Sequence, residues 1–230
     1  MNKVLKNSFR IILLSLVLFL IAGCNGKQAN VKAAGQTKNQ LSAWTVYWDA
    51  EEGSKEFRRL EKRLDEVCLF GAYFEEDGKL LLPEELTFDK RVAKKKKQLV
   101  EYLTIVNDRV LSDGGKEYKK TEFLQELLND QERRKEHIDE IIALAKAERF
   151  DGVEIDYERI WKDCETKDTF LPFIKELYAA TTANNLKLRV VLEPGTPFND
   201  IELPPGPKYV VMLYNLYGMH SGPGPKADNA

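Results

Sequence analysis

The chain has 230 residues, 43% of them apolar, so it can bury a core and is neither an intrinsically disordered tail nor a disulfide-stapled miniprotein. The 35 Lys and Arg residues against 37 Asp and Glu give a formal net charge of -2, which supplies no electrostatic case for a nucleic-acid partner. The 3 cysteines cannot all pair with one another, which excludes a disulfide scaffold.

The first predicted element is a targeting segment. Lys3, Lys6 and Arg10 precede an almost uninterrupted apolar run from Ile11 to Ala22. As a helix this run would span about 18 Å, too short for a bilayer core of roughly 30 Å. A charged start followed by a short apolar run is typical of a secretory signal peptide.

The residues from Leu20 to Cys24 read Leu-Ile-Ala-Gly-Cys and resemble the lipobox of bacterial lipoproteins. The resemblance implies removal of residues 1–23 as a signal peptide and lipidation of Cys24. Residues 24–42, which continue with Gln, Asn, Lys, Ala and Gly, are predicted to form a flexible tether. We therefore expect residues 43–230 to be an extracytoplasmic domain, attached to the bacterial cell membrane through the lipid on Cys24.

From residue 43 onward, short apolar or alternating segments predict strands that alternate with helices. The six predicted strands are Ala43–Asp49, Val67–Phe74, Tyr102–Asp108, Gly152–Glu158, Leu186–Glu193 and Tyr209–Leu216. Apolar residues at helical spacing form two sets between them: Ile138, Ile141, Ile142 and Ala145, and Phe170, Phe173, Ile174 and Leu177. His137, in a charged helical stretch, is expected to be exposed to solvent.

The alternating order predicts a parallel sheet covered by helices. The first strand runs into Asp49 to Gly53, which is not the Gly-rich phosphate turn common in doubly wound sheets. An α/β fold of the (β/α)8 TIM-barrel type fits better, but such a barrel usually needs about 250 residues. Either the barrel is truncated after the sixth βα unit or the six units close in another way, and we favour truncation.

The fourth predicted strand carries a crowded set of acids. Alternate side chains face the same way, so Glu154, Asp156 and Glu158 share one face while Val153 and Ile155 take the other. Neighbouring acids about 6.7 Å apart repel by roughly 2.5 kcal/mol at an effective dielectric constant near 20, so they are not all ionised at neutral pH. A retained proton makes a general acid available. Catalysis is favoured over a solvated edge strand or a metal site, because no nearby His supplies a ligand and Ca²⁺ takes its ligands from loops.

This strand resembles the signature of glycoside hydrolase family 18, the family of chitinases and endo-β-N-acetylglucosaminidases. The pattern D-x-x-D-x-D-x-E is matched by Asp151, Glu154, Asp156 and Glu158, with Glu154 in place of an Asp. A second pattern, M-x-Y-D on the sixth strand, is matched from Met212 through Tyr214 to Asn215, with Asn215 in place of an Asp. The resemblance covers residues 43 to about 220 and agrees with the barrel type.

The resemblance implies hydrolysis of β-linked N-acetylglucosamine-containing glycans with retention, assisted by the acetamido group of the substrate. Glu158 would be the general acid and base, Asp156 would orient the acetamido group, and Tyr214 would donate a hydrogen bond to its oxygen. Glu154 and Asp151 would tune the charge of Asp156. Chitin, peptidoglycan and protein-linked glycans all contain this sugar, and the sequence does not choose among them. No cofactor and no metal is expected, and the chain is predicted to be a monomer.

Further substrate contacts are predicted where the strands end. They are Tyr47 and Trp48 near the end of the first strand, Asn107 on the third, Trp161 in the loop after the fourth, Glu193 on the fifth and Asn215 on the sixth. For the aromatic residues among them, packing in the core is the alternative.

Two other function classes stay open. A glycan-binding module on a catalytically silent barrel would explain the substitutions at Glu154 and Asn215, although the retained Glu158 argues against it. An interaction-only surface lipoprotein would leave the acidic strand unexplained.

Overall fold

The computed structural model describes residues 39–60, 62–86, 99–162, 164–214, 217 and 222–225, without the side chains of residues 85 and 164. The chain divides into two units, Met1–Asn39 and Gln40–Ala230, and the described residues lie almost wholly in the second. None of the helices in these ranges has the length and apolar character that crossing a bilayer requires. The predicted signal peptide, Cys24 and most of the predicted tether lie outside the described residues.

The elements alternate along the chain as the sequence predicts. In chain order they are β1 (Ser42–Val46), α1 (Ala50–Leu60), β2 (Glu66–Glu75), β3 (Leu80–Leu81), β4 (Val100–Val110), β5 (Lys116–Glu117), α2 (Glu122–Asn129), α3 (Gln131–Ala147), β6 (Gly152–Asp156), α4 (Cys164–Ala183), β7 (Lys187–Leu192) and β8 (Lys208–Val211). All six predicted strands are confirmed, as β1, β2, β4, β6, β7 and β8. Their ends differ from the prediction, above all because β6 stops at Asp156 and β8 at Val211.

The sheet is parallel along its main path. Its strands lie in the order β1-β2-β4-β6-β7-β8, and each neighbouring pair is parallel. A parallel sheet in chain order, with helices in the connections, curls into a half-barrel of the predicted type. The truncation expected after the sixth unit stays a prediction.

The two faces of the sheet have opposite character. On the outer face, Val153 and Ile155 of β6 are fully buried in one apolar core with Ile141 of α3 and Phe173 of α4. The residues that alternate with this outer set point into the half-barrel, and many of them are polar: Glu66, Thr104, Glu154, Asp156 and Arg189, all buried. The period of two therefore separates an apolar packing face from a polar interior.

A glycine is required where β6 begins. A Cβ on Gly152 would lie 2.6 Å from the carbonyl oxygen of Lys187 and 2.8 Å from the Tyr102 ring. Because both neighbours belong to adjoining strands, a larger residue would separate the sheet at the strand that carries the acids.

Helix α3 packs on the outer face with the residues predicted for it. Ile138, Ile141, Ile142 and Ala145 are buried, and the Asp130 side chain caps the helix by accepting from the Arg133 N–H at 2.8 Å. His137 is buried as well, so its predicted exposure is wrong. Its Nε2 lies 2.8 Å from the Tyr157 hydroxyl, and this pairing satisfies both polar groups in the core.

Two short antiparallel excursions extend the sheet at the carboxyl ends of its strands. Strand β3 folds back on β2 and β5 folds back on β4. Their turns contain Gly78 at φ +86° and Gly114 at φ +84°, where the left-handed backbone favours glycine. The second excursion matters for function because it carries residues 116–120 back toward the end of β6.

Candidate active site

The acids of β6 do not form one continuous row. Glu154 is fully buried and Asp156 is 7% exposed, and both point into the half-barrel. Glu158 comes after the strand has ended, so the predicted strand through Glu158 is wrong by two residues. The three acids therefore occupy different environments, from the closed interior to the open carboxyl-terminal end.

Glu154 is neutralised by a cation that the sequence reading missed. The Arg189 Nε of the neighbouring strand lies 2.5 Å from Glu154 Oε2, and the two residues are register partners. Glu154 Oε1 accepts from Trp44 Nε1–H at 2.7 Å and from the Thr104 hydroxyl at 2.8 Å. Glu154 therefore has partners that compensate its charge, while its charge and that of Glu158 still raise the pKa of Asp156, in the direction expected for crowded acids.

The same guanidinium reaches a second buried acid. Arg189 Nη1 lies 3.0 Å from Glu66 Oε2 and donates to the Ser42 hydroxyl at 2.9 Å. Lys208 pairs with the other carboxylate oxygen of Glu66. Burial raises the pKa of Glu66, but the hydrogen bonds from Lys208 and Ser42 and the charges of Lys208 and Arg189 leave this pKa below its usual value. These ion pairs fill the interior at the amino-terminal side of the site.

Asp156 is the acid of this strand whose pKa is strongly raised. Burial raises its pKa to about 7; the Lys119 ammonium opposes this, whereas the charges of Glu158 and Glu154 add to it. Among the described residues its Oδ1 is buried without a hydrogen-bond partner. A buried, unpartnered carboxyl oxygen is costly and marks a position that a ligand can satisfy.

The backbone at Glu158 is held by Asn107 of β4, and the backbone of the next residue by Glu193, which follows β7. Asn107 of β4 accepts from the Glu158 N–H at 2.9 Å and donates to the Glu158 carbonyl at 3.1 Å. The Glu193 carboxylate accepts from the N–H of Arg159, which has φ +66°. Asn107 and Glu193, predicted as sugar contacts, thus form hydrogen bonds with the backbone around the acid.

Lys119 lies beside the Glu158 carboxylate and was not predicted. Its ammonium nitrogen is 3.2 Å from Glu158 Oε1 and 3.6 Å from Asp108 Oδ1. The Lys119 side chain is 16% exposed and that of Glu158 is 29% exposed, so this ion pair borders the opening and does not lie in the closed interior.

Asp151 does not lie behind Asp156. It precedes β6, where its Oδ2 accepts from the Glu101 N–H at 3.0 Å and its carbonyl accepts from the Lys187 N–H at 2.9 Å. Asp156 lies five residue steps further along the chain, which is about 16 Å on an extended strand. Asp151 thus has a structural role in joining three strands, and its tuning of Asp156 stays a prediction.

The aromatic candidates divide between surface and core. Trp48 is 63% exposed and stands edge-on to Phe70, with ring centroids 5.6 Å apart. Tyr47 is half-buried and packs against Trp48. Trp161 is half-buried against Phe170, as its core-packing alternative predicts. Trp48 is therefore the aromatic side chain of this group that presents the most surface to a ligand.

Tyr214 follows β8 at the same end of the half-barrel and is half exposed. Burial raises the pKa of Tyr214, and the charges of Asp156 and Glu158 raise it further because the phenol lies within electrostatic reach of both acids. Asn215 lies outside the described residues. Within the described ranges, no group of three or more His, Cys, Asp or Glu side chains is arranged to hold a metal ion.

Residues 43–228 match the sequence model of the family described as Glycosyl hydrolases family 18. The chain belongs to glycosyl hydrolase family 18. A search among curated proteins finds no significant match to this family 18 chain.

Solved chitinase structures share the fold of this family 18 chain at low sequence identity. A class V chitinase from Pseudomonas fluorescens Pf-5 has a TM-score of 0.62 and 22% identity, over 83% of this chain and 61% of its own. A class V chitinase from Nicotiana tobaccum has a TM-score of 0.62 and 18% identity, over 79% of this chain and 54% of its own. The chitinase from Chromobacterium violaceum ATCC 12472 has a TM-score of 0.62 and 16% identity, over 82% of this chain and 60% of its own. This chain thus spans 54% to 61% of the length of these chitinases.

Proposed function

We propose that this chain hydrolyses β-linked N-acetylglucosamine-containing glycans with retention of configuration. The observation that carries the proposal is Asp156, which is buried, has no hydrogen-bond partner at Oδ1 among the described residues and has a pKa raised to about 7. It lies beside Glu158, whose backbone is held by Asn107. Membership of glycosyl hydrolase family 18 supports the same chemistry. A chitinase from Cycas revoluta with a similar fold was solved in complex with (GlcNAc)4, which supports this class of ligand.

In the first step, Glu158 donates its proton to the glycosidic oxygen as the bond from that oxygen to the anomeric carbon breaks. The acetamido carbonyl oxygen of the same sugar attacks the anomeric carbon and forms an oxazolinium. Asp156 accepts a hydrogen bond from the acetamido N–H, and its ionised form offsets the developing positive charge. Tyr214 donates to the acetamido oxygen.

In the second step, the Glu158 carboxylate removes a proton from water, and the resulting oxygen nucleophile attacks the anomeric carbon. The oxazolinium ring opens and restores the acetamido group, so two inversions give net retention. Glu158 ends the cycle protonated, and no external reagent besides water is consumed. Trp48 supplies an exposed aromatic face on which a sugar ring can stack.

Glu158→Gln tests the acid assignment. We expect release of a chromogenic chitobioside to fall by at least a hundredfold, as roughly expected for loss of a general acid, while calorimetry shows oligosaccharide binding within about threefold of wild type. Glu132→Gln, at an exposed position of α3, is the matched control and should keep full activity. An unchanged rate in Glu158→Gln would reject the assignment. A wild-type chain that binds (GlcNAc)4 without turnover would favour the glycan-binding barrel instead.

A thiazoline analogue of the oxazolinium tests the substrate-assisted route separately. It should inhibit competitively and bind more tightly than the product sugar, because it resembles the intermediate that Asp156 stabilises. Asp156→Ala should weaken this inhibitor more than it weakens the product. Equal weakening of both would argue against a specific role of Asp156 in stabilising the intermediate.

We also propose that the chain is a lipoprotein, cleaved before Cys24 and held at the bacterial cell membrane on the extracytoplasmic side. The support is the order of charged residues, apolar run and small residues in 1–24. Expressed in bacteria, the wild-type chain should incorporate labelled palmitate and partition into detergent, whereas Cys24→Ser should do neither. Equal labelling of the two would contradict the lipidation site.

A further inference from the structure

Lys119 is brought to the cleft by the second antiparallel excursion. Strand β5 pairs Glu117 with Arg109 and Lys116 with Val110, which turns the chain back toward the end of β6. Lys119 then adopts φ +55°, and its N–H donates to Asp108 Oδ1 at 3.2 Å. A left-handed conformation is unfavourable for a long side chain, so the surrounding contacts must fix it here. The ammonium nitrogen at the end of this side chain is buried and lies within 4 Å of the carboxylates of Asp108 and Glu158.

The charges around this ammonium come from several elements. Asp108 lies on β4, Asp156 on β6 and Glu158 just after it. The Tyr214 phenol, from the end of β8, is influenced by the charges of Asp156, Glu158 and Glu154. Glu154 is held by Arg189 of β7. Glu193, after β7, accepts from the Arg159 backbone.

Lys119 is the cation that faces the two acids of the proposed reaction. It forms an ion pair with Glu158. It is also the strongest influence that lowers the pKa of Asp156, against the rise that burial causes. Its ammonium also lies 5.9 Å from the centre of the Phe70 ring, so an aromatic wall covers another side of it. Since three carboxylates and one ring surround it, Lys119 is placed to act on the acids and not to bind an anionic substrate group.

We propose that Lys119 is a positioning residue that sets the pH range in which the Asp156–Glu158 pair carries a single proton, an inference that rests on the glycosidase function proposed above. The reaction needs one proton on this pair, on Glu158 when the glycosidic bond breaks. Without a nearby cation, two close carboxyl groups take up protons at higher pH. Lys119 therefore lowers the pH at which the second proton is bound and at which the last one is lost.

Lys119→Met removes the charge and keeps much of the stem. Both limbs of the pH profile of kcat/KM should move upward by about one pH unit. This is the low end of the pKa shift that a neighbouring charge causes, because water screens this partly exposed ion pair. The Asp156 carboxyl resonance, followed by NMR, should titrate with a midpoint raised by a similar amount from about 7. Lys119→Arg, which keeps the charge, should restore the wild-type profile. Lys116→Met, an exposed position on the same excursion, should leave both measurements unchanged.

Coincident pH profiles and Asp156 midpoints for wild type and Lys119→Met would overturn the inference, and so would a downward shift. If Lys119→Met does not fold, Lys119→Gln replaces it with the same expected shift. The NMR measurement separates this inference from the proposed function. A wild-type chain with no turnover, but with an Asp156 midpoint that rises in Lys119→Met, refutes the glycosidase proposal while the electrostatic action of Lys119 on Asp156 stands.

Discussion

Replacement of Arg189 by Met should destabilise the fold strongly, because its guanidinium is the counter-ion of two acids inside the half-barrel. Arg189 is 1% exposed and pairs with both Glu154 and Glu66. Removing one partner of a buried ion pair costs about 3–5 kcal/mol, since the remaining charge is left without compensation. For a domain of this size each kcal/mol lowers Tm by roughly 2–4 °C, so we expect Tm to fall by about 10 °C at pH 7.5.

The loss should depend on pH, because the cation stabilises only ionised carboxyl groups. The pKa of Glu66 is lowered in the folded chain; burial opposes this, but Lys208, Ser42 and Arg189 outweigh it. A lowered carboxyl pKa stabilises the fold above the unfolded-state value of about 4.3, and the stabilisation is lost as the pH falls through the folded-state pKa. The Tm difference between wild type and variant should therefore be largest near neutral pH and shrink toward pH 4.

Thermal unfolding followed by circular dichroism over a series of pH values measures both effects. Arg133→Met, at an exposed position of α3, is the matched control and should shift Tm by less than about 2 °C. The double variant Arg189→Met with Glu154→Gln should recover part of the loss, because a neutral amide needs no counter-ion. A single variant that melts within about 2 °C of wild type at pH 7.5, or a difference that grows on acidification, would refute the reasoning.

Two further predictions concern the cleft. Asn107→Ala removes the clamp on the Glu158 backbone and should lower kcat about tenfold to a hundredfold with KM within about twofold, because the acid is misplaced while the sugar contacts remain. Asn184→Ala, which loses an amide bond to a helix carbonyl elsewhere, should keep kcat, and an unaltered kcat in Asn107→Ala would contradict the clamp. Trp48→Ala should raise KM for oligosaccharides about fivefold to tenfold at unchanged kcat and Tm, as expected for loss of an exposed stacking face, and an unchanged KM would remove Trp48 from the binding surface.

The sheet could be predicted because its signal is local. Each strand shows β-branched and aromatic residues over a short run, and the period of two assigned Val153 and Ile155 to the packing face correctly. The helical spacing of Ile138 and Ile141 likewise predicted the buried face of α3. His137 lies one helical turn before Ile141, so the same spacing places it on the buried face as well. Its burial could therefore have been predicted.

The excursions were missed although their turn residues were visible. Asp77-Gly78 and Asp113-Gly114 are typical of tight turns between antiparallel strands, and both glycines adopt positive φ. The strands they connect to are only two residues long, which is below the length at which periodicity can be recognised. Lys119 therefore could not be placed in the cleft from its sequence position, although the excursion that places it could have been suspected.

The partners of the site acids could not be predicted because they depend on contacts between distant segments. Glu193 lies at the end of its strand as predicted, directly after Leu192, whereas Asn107 lies inside β4, which continues to Val110. Their hydrogen-bond partners are the backbone groups of Arg159 and Glu158, two positions that no local sequence pattern links to them. Arg189 left a usable signal. A single Arg inside an apolar strand, at the position that alternates with Leu188 and Val190, must point into the half-barrel toward the acids.

The pairing of Arg189 explains why Glu at position 154 is compatible with the proposed chemistry, although the family pattern has Asp there. Glu154 is held by a guanidinium, an indole and a hydroxyl, so its carboxylate is fixed and compensated before any substrate arrives. Its charge still contributes to raising the pKa of Asp156, together with burial and Glu158. Because Asp156 Oδ1 has no partner among the described residues, a ligand N–H gains a bond there that no protein group has to give up. We therefore expect the proposed recognition of an acetamido group to use this oxygen of Asp156, beside a neighbouring acid whose charge is already compensated.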